Sequence, residues 1–157
     1  MKIALLQGAY KNAGDYLIVH RSKQLLKHFY PESTIIEYER KKDLAPYLDE
    51  INRCDVLVIA GGPGYITNVY PNIIPLVPNL EDLKVKIFVL GMGWYGGEMS
   101  NSVIYNYKFS EQTKKLFKKI ENGNHSFGCR DIESMRVLKN NGFTNTIMTG
   151  CPAWYDI

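Results

Sequence analysis

Three polar side chains in this sequence, Arg130, Asp15 and Asn12, have the chemistry to handle a small anionic or hydroxylated molecule. Arg130 stands before Asp131 where an apolar run gives way to a helical pattern. A guanidinium there can clamp a carboxylate or phosphate through two parallel hydrogen bonds. The same Arg–Asp pair would serve equally as an ion pair that fixes the turn. Asn12 and Asp15 flank the start of another helix, where unpaired backbone N–H groups and the helix dipole draw polar oxygens. A carboxylate at Asp15 repels phosphate and suits a hydroxyl-bearing ligand. The plainer reading is that Asp15 caps the helix and Gly14 makes the turn.

Two further stretches could line a site. In Ala60-Gly61-Gly62-Pro63-Gly64-Tyr65, paired glycines after a buried strand let backbone approach a ligand, and Tyr65 adds a ring with a polar tip. A tight strand-to-helix turn explains the same residues. In Gly91-Met92-Gly93-Trp94-Tyr95-Gly96-Gly97-Glu98, two adjacent aromatics between glycines resemble a stacking platform for a sugar or base on a mobile loop. Glu98 reads as a general base or as an ordinary solvated carboxylate. No Ser-His-Asp order, HExxH, P-loop or metal-ligand cluster is present, so neither a metal nor a resident cofactor is expected.

These residues need a scaffold that gathers them. Ten of the thirteen glycines follow an apolar, strand-like run or lie within a short loop of one. In a parallel sheet those loops share the edge formed by the strands' carboxyl ends, where open α/β folds bind ligands. Six strands are predicted, near 2–7, 34–38, 55–60, 85–90, 125–129 and 145–149. A helix is predicted from about Asp15 to Phe29, with Ile18, Leu25, Leu26 and Phe29 on one face and Ser22 as a small gap. Asp43, Ser110 and Asp131 each read as caps of later helices, and Gly142 as a stop signal. Pro71, Pro75 and Pro78 restrict the stretch 63–84 to a loop with one short helix. The alternation predicts a single doubly wound, mainly parallel Rossmann-like domain over 1–157, with helices on both faces.

Composition narrows the class of partner. The 157 residues carry 19 Lys and Arg against 16 Asp and Glu, a net charge of +3, and the positive residues are scattered. Nothing in that balance calls for nucleic acid. Lys114–Lys119 reads as a solvated helix face rather than a membrane contact. Cys54, Cys129 and Cys151 form no CxxC pair and read as buried thiols of a reduced, cytoplasmic chain. No apolar run approaches the roughly 20 residues of a membrane span.

Taken in order, five motifs resemble the N-terminal half of the polysaccharide pyruvyl transferase family. They are Asn12-x-Gly14-Asp15, Asp55 through Gly61-Gly62, Gly91-x-Gly93, Arg130-Asp131-x-x-Ser134 running on to Leu138 and Gly142, and Gly150-Cys151-Pro152-Ala153. The resemblance implies one lobe of a two-lobed, GT-B-like transferase. Such enzymes pass a pyruvyl group from phosphoenolpyruvate to sugar hydroxyls of cell-wall or surface polysaccharides. It implies that Asn12, Gly14, Asp15, Gly61, Gly62, Gly93 and Arg130 face the cleft. Arg130 would bind the donor's carboxylate or phosphate, and Asp15 an acceptor hydroxyl. Lys11, Pro63 and Cys129 depart from the family pattern, and the second lobe lies outside this sequence. The expected partners are therefore a small-molecule donor, a sugar or glycan acceptor, and a missing lobe or second copy, with exposed apolar surface around Trp154 and Ile157 and no turnover by this lobe alone. Two other readings remain: half of a nucleotide-sugar glycosyltransferase, or a non-catalytic binding module of the same fold.

Overall fold

Ile3 and Leu5 leave one side of the first strand, Ala4 and Leu6 the other, and all four are fully buried. A strand apolar on both sides must lie inside a layered structure. The computed structural model describes residues 1–8, 13–98, 100–123 and 125–156. Its strands are β1 (Lys2–Gln7), β2 (Thr34–Glu39), β3 (Val56–Ala60), β4 (Pro63–Tyr65), β5 (Lys86–Trp94), β6 (Phe127–Cys129) and β7 (Thr146–Met148). They run in the order β2-β1-β3-β5-β6-β7, with β4 paired to the far end of β5. Every pairing is parallel. Order reverses on either side of β1, so the crevice between β1 and β3 is the switch point of the winding.

The two sides of the sheet are covered unequally. On one side lies α1 (Ala13–Phe29), whose Val19, Leu25 and Leu26 pack on Ile3, Leu5, Val58, Ala60 and Leu90. On the other lie α2 (Leu48–Asn52), α3 (Val69–Asn72), α4 (Asn101–Asn106), α5 (Glu111–Asn122) and α6 (Ile132–Asn140). The second side holds most of the core, including rings packed edge to face. Phe109 and Phe117 have centroids 5.0 Å apart, and Phe117 and Phe127 5.5 Å. Such pairs add about 1 kcal/mol each to the burial of the rings.

Local signals set the helix ends. Asp43 Oδ1 accepts from Ala45 N at 2.9 Å, opening a 3-10 turn over Ala45–Tyr47 that leads into α2. Ser110 accepts from Thr113 N at 3.3 Å, and Asp131 from Ser134 N at 2.8 Å. Gly142 follows α6 with φ +88°.

The structure departs from the sequence-based expectation in four places. Among the described residues seven strands form rather than six, because Pro63–Tyr65 extends the sheet beyond the Gly61-Gly62 turn. β5 continues to Trp94, so Gly91-Met92-Gly93-Trp94 is strand and not a mobile loop. β6 begins at Phe127 rather than at 125. On α1 the residues turned inward are Val19 and Ser22, while Phe29 is 67% exposed. The contact stripe is therefore centred on 19, 22 and 26, and the last turn of the helix is left to solvent.

Candidate functional site

Because the sheet is parallel throughout, the carboxyl ends of β2, β1, β3, β5, β6 and β7 form one rim. Hydrogen bonds stitch the segments just beyond those ends together. Arg40 N donates to Gln7 O at 2.9 Å, Gly61 N to Leu90 O at 2.7 Å, and Gly93 N to Gly62 O at 2.9 Å. Arg130 N donates to Met92 O at 3.1 Å, and Gly150 N to Cys129 O at 3.1 Å. Gly61, Gly62, Gly93 and Arg130 are thus neighbours on one edge. Asn12 lies outside the described residues. Gly14 is exposed in the first turn of α1, and Asp15, one residue on, is half-buried.

Two of the glycines are bare in order to seat arginines. Gly62, at φ +70°, would carry a Cβ only 2.8 Å from Arg40 Nη1. A Cβ on Gly93 would lie inside the Arg130 side chain, 2.7 Å from its Cδ. Gly61 is covered by Ile18 of α1. The peptides expected to face a ligand therefore carry side chains of the protein itself, and one of the two guanidinium groups meets the solvent.

That group is Arg130. Its Nε donates to Asp131 Oδ2 at 3.1 Å, while Asp131 Oδ1 caps α6 and also accepts the Ser134 hydroxyl at 2.5 Å. The Ser134 oxygen in turn accepts from Trp94 N at 2.6 Å. Asp131 therefore combines both roles read from the sequence: it caps the helix and orients the arginine. Among the described residues nothing takes the two terminal nitrogens of Arg130. They belong to a side chain about a third exposed, on the wall of a cavity of about 570 Å³. Thr149, Gly150, Cys151, Trp154 and Tyr155 complete that wall with Asp131. A larger groove of about 720 Å³ opens at the opposite edge, around Lys84, Lys86 and His125, and contains none of the candidate residues.

Arg40 was not among the sequence candidates. Its side chain is only 4% exposed, and its Nη1 donates to Gly61 O at 3.1 Å. Its Nε and the nearby Gln7 Oε1, also buried, have no hydrogen-bond partner among the described residues. Burial lowers the guanidinium's pKa, and the charge of Asp15 offsets only part of that. A Cβ on Gly8 would be 3.5 Å from Asp15 Oδ1 and 3.7 Å from Arg40 Cζ, so both groups border the same bare peptide. The only sequence sign of Arg40 was its place at the head of the basic run Arg40-Lys41-Lys42, directly after β2.

Two candidates are corrected. Tyr65 is fully buried among Phe117 and Phe127, and its hydroxyl donates to Gly128 O at 3.1 Å. It is a core residue with no face for a substrate, and burial raises its phenol well above the ordinary value. Trp94 is 3% exposed and stands edge-on to Tyr107, so it cannot be a stacking platform. Tyr95, the next residue, is 75% exposed. Glu98 is solvent-exposed. Of the cysteines, Cys54 and Cys129 are buried and Cys151 is partly exposed in the cavity wall. Burial pushes the Cys129 thiol up to about 12, which leaves it a neutral, unreactive packing group.

Among the described residues no group of three or more His, Cys, Asp or Glu side chains is arranged to hold a metal ion. No helix there is long and apolar enough to cross a membrane.

Comparison with known proteins agrees with the architecture. A solved azoreductase from Bacillus anthracis str. Sterne is similar to this chain at 12% sequence identity with a TM-score of 0.52. The alignment covers 92% of this chain and 99% of that one. At such identity the likeness is one of fold, and the strand order seen here is that of flavodoxin-like sheets. A search of the curated proteins finds no match. A family model described as polysaccharide pyruvyl transferase matches residues 12–156, from the residue before α1 to the residues beyond the Trp154 turn. With that match spanning nearly the whole sequence, the chain belongs to the polysaccharide pyruvyl transferase family.

Proposed function

We propose that this domain binds phosphoenolpyruvate at Arg130 and a sugar hydroxyl near Asp15, and serves in moving the pyruvyl group from the first to the second. The observation that carries this reading is the state of Arg130. Its Nε is fixed by Asp131, its stem lies on Gly93, and its terminal nitrogens have no partner among the described residues. A guanidinium held in that way offers a pre-oriented fork to a carboxylate or phosphate at little entropic cost.

Asp15 complements it as an acceptor. A carboxylate takes a hydrogen bond from a sugar hydroxyl and, as that oxygen bonds to C2 of the pyruvyl group and phosphate departs, can receive its proton. Donor and acceptor would thus meet oppositely charged groups on one rim, which keeps the phosphate away from the carboxylate.

The test is calorimetric titration of the chain with phosphoenolpyruvate. Arg130→Ala should weaken binding about thirtyfold or more, the usual cost of losing a charge-assisted, two-point contact. Equal affinity in wild type and variant would overturn the reading. Preference for a nucleotide sugar over phosphoenolpyruvate would favour a glycosyltransferase instead.

A further inference from the structure

The chain has two tryptophans, and the structure treats them in opposite ways. Trp94 is 3% exposed, whereas Trp154 is 87% exposed. An indole left in water forgoes the burial that normally stabilises it, about 25 cal/mol for each Å² of apolar surface. Its backbone is nonetheless tightly held. Residues Pro152–Trp154 form a 3-10 turn with Pro152 buried, and Trp154 N donates to Cys151 O at 3.0 Å. The Tyr155 hydroxyl donates back to Thr149 O, and Asp156 pairs with Arg21 of α1 at 3.0 Å. The turn is thereby packed along the helix whose first turn holds Asp15.

We infer that Trp154 is the platform on which a pyranose ring of the acceptor rests, inside the cavity that also holds Arg130. This rests on the transferase reading above and names a subsite for it. A pyranose presents axial C–H bonds on one face and hydroxyls around its edge. It therefore needs a flat apolar surface beside polar groups that hydrogen-bond in a plane. Trp154 supplies the first, and the Asp131 carboxylate and Thr149 hydroxyl of the same cavity the second. The cavity, about 570 Å³, is within the range of small-molecule sites and has room for a monosaccharide. Because a tryptophan has only two side-chain torsions, stacking on it costs little conformational freedom. The aromatic role read from the sequence for Trp94 thus belongs to Trp154, about sixty positions later.

The experiment uses tryptophan emission. With Trp94 buried, a ligand that covers the exposed indole reports on Trp154. The intact chain and the variants Trp154→Phe and Trp154→Ala are titrated with methyl glycosides of glucose, galactose, mannose and N-acetylglucosamine, and separately with phosphoenolpyruvate. At least one glycoside should shift the wild-type emission to shorter wavelength. Trp154→Phe should keep most of that affinity by calorimetry, and Trp154→Ala should lose it about tenfold. Phosphoenolpyruvate affinity, which rests on the Arg130 guanidinium, should fall less than sugar affinity in Trp154→Ala. The inference is overturned if no glycoside binds the wild type, or if Trp154→Ala binds the sugar as well as wild type. It is also overturned if the emission changes only with protein concentration, which would mean that a second copy covers the indole. If Trp154→Ala loses the sugar while Arg130→Ala leaves phosphoenolpyruvate affinity unchanged, the platform stands and the donor assignment falls.

Discussion

Arg40 and Arg130 leave the ends of two strands on the same rim, and each lies on a glycine that could carry no side chain. Arg40 is sealed in, bonded to Gly61 O and set beside Asp15. Arg130 is held from one side by Asp131 and open on the other. Burying a cation costs several kcal/mol unless an opposing charge and hydrogen bonds offset it. Arg40 has one such bond, to Gly61 O, and the nearby charge of Asp15, and its burial on the Gly62 peptide makes it part of the fold. Arg130, only half-compensated and still in contact with water, keeps its binding capacity for something else. Residue type alone does not separate a structural arginine from a ligand-binding one, and neither does the number of donors taken, which is one in each; the access of the guanidinium to solvent does.

The sharpest way to break this contrast is through stability. Arg40→Ala should destabilise the chain by about 3 kcal/mol in urea unfolding, since it strips the Gly61 turn and leaves Asp15 without its counter-charge. Arg130→Ala should cost under about 1 kcal/mol. Similar losses in the two variants would erase the distinction. Gly93→Ala acts on Arg130 without removing it. The added methyl collides with the Arg130 stem, so phosphoenolpyruvate affinity by calorimetry should fall about tenfold with the circular dichroism spectrum retained. Asp131→Ala sharpens the point further. It removes a helix cap worth about 1 kcal/mol and frees the Arg130 Nε, and should weaken phosphoenolpyruvate about fivefold. The smallest effect on ligand affinity is expected from Tyr65→Phe, which deletes the bond to Gly128 O. It should cost about 1 kcal/mol in unfolding and leave ligand affinity unchanged.

What the sequence made legible was local. The caps at Ser110 and Asp131 and the stop at Gly142 depend on residues within a turn of one another and hold in the structure, whereas Asp43 accepts from Ala45 N but stands one residue before the N-cap, Leu44. The parallel sheet was readable because runs such as Val56–Ala60 are apolar on both faces. The aromatics misled because their surroundings are distant in sequence. The partner of Tyr65 is Gly128, and the backbone of Trp94 is tied to Ser134, across 63 and 40 positions respectively. Arg40 escaped notice for the same reason: its burial is created by the Gly61-Gly62 turn, 21 residues downstream. The family resemblance, which sums many weak signals, reached further than any single motif did.

Gly91 illustrates how far a hydrogen atom can reach. It sits in β5 at φ +62°, and a Cβ there would press into the carbonyl of Gly150 and the ring of Pro152. Adding one methyl would act as a wedge driven between sheet and tail, lifting the 150–156 segment outward. The indole and phenol carried by that tail would swing away from the guanidinium, and the cavity would lose a wall although none of its lining residues had been altered.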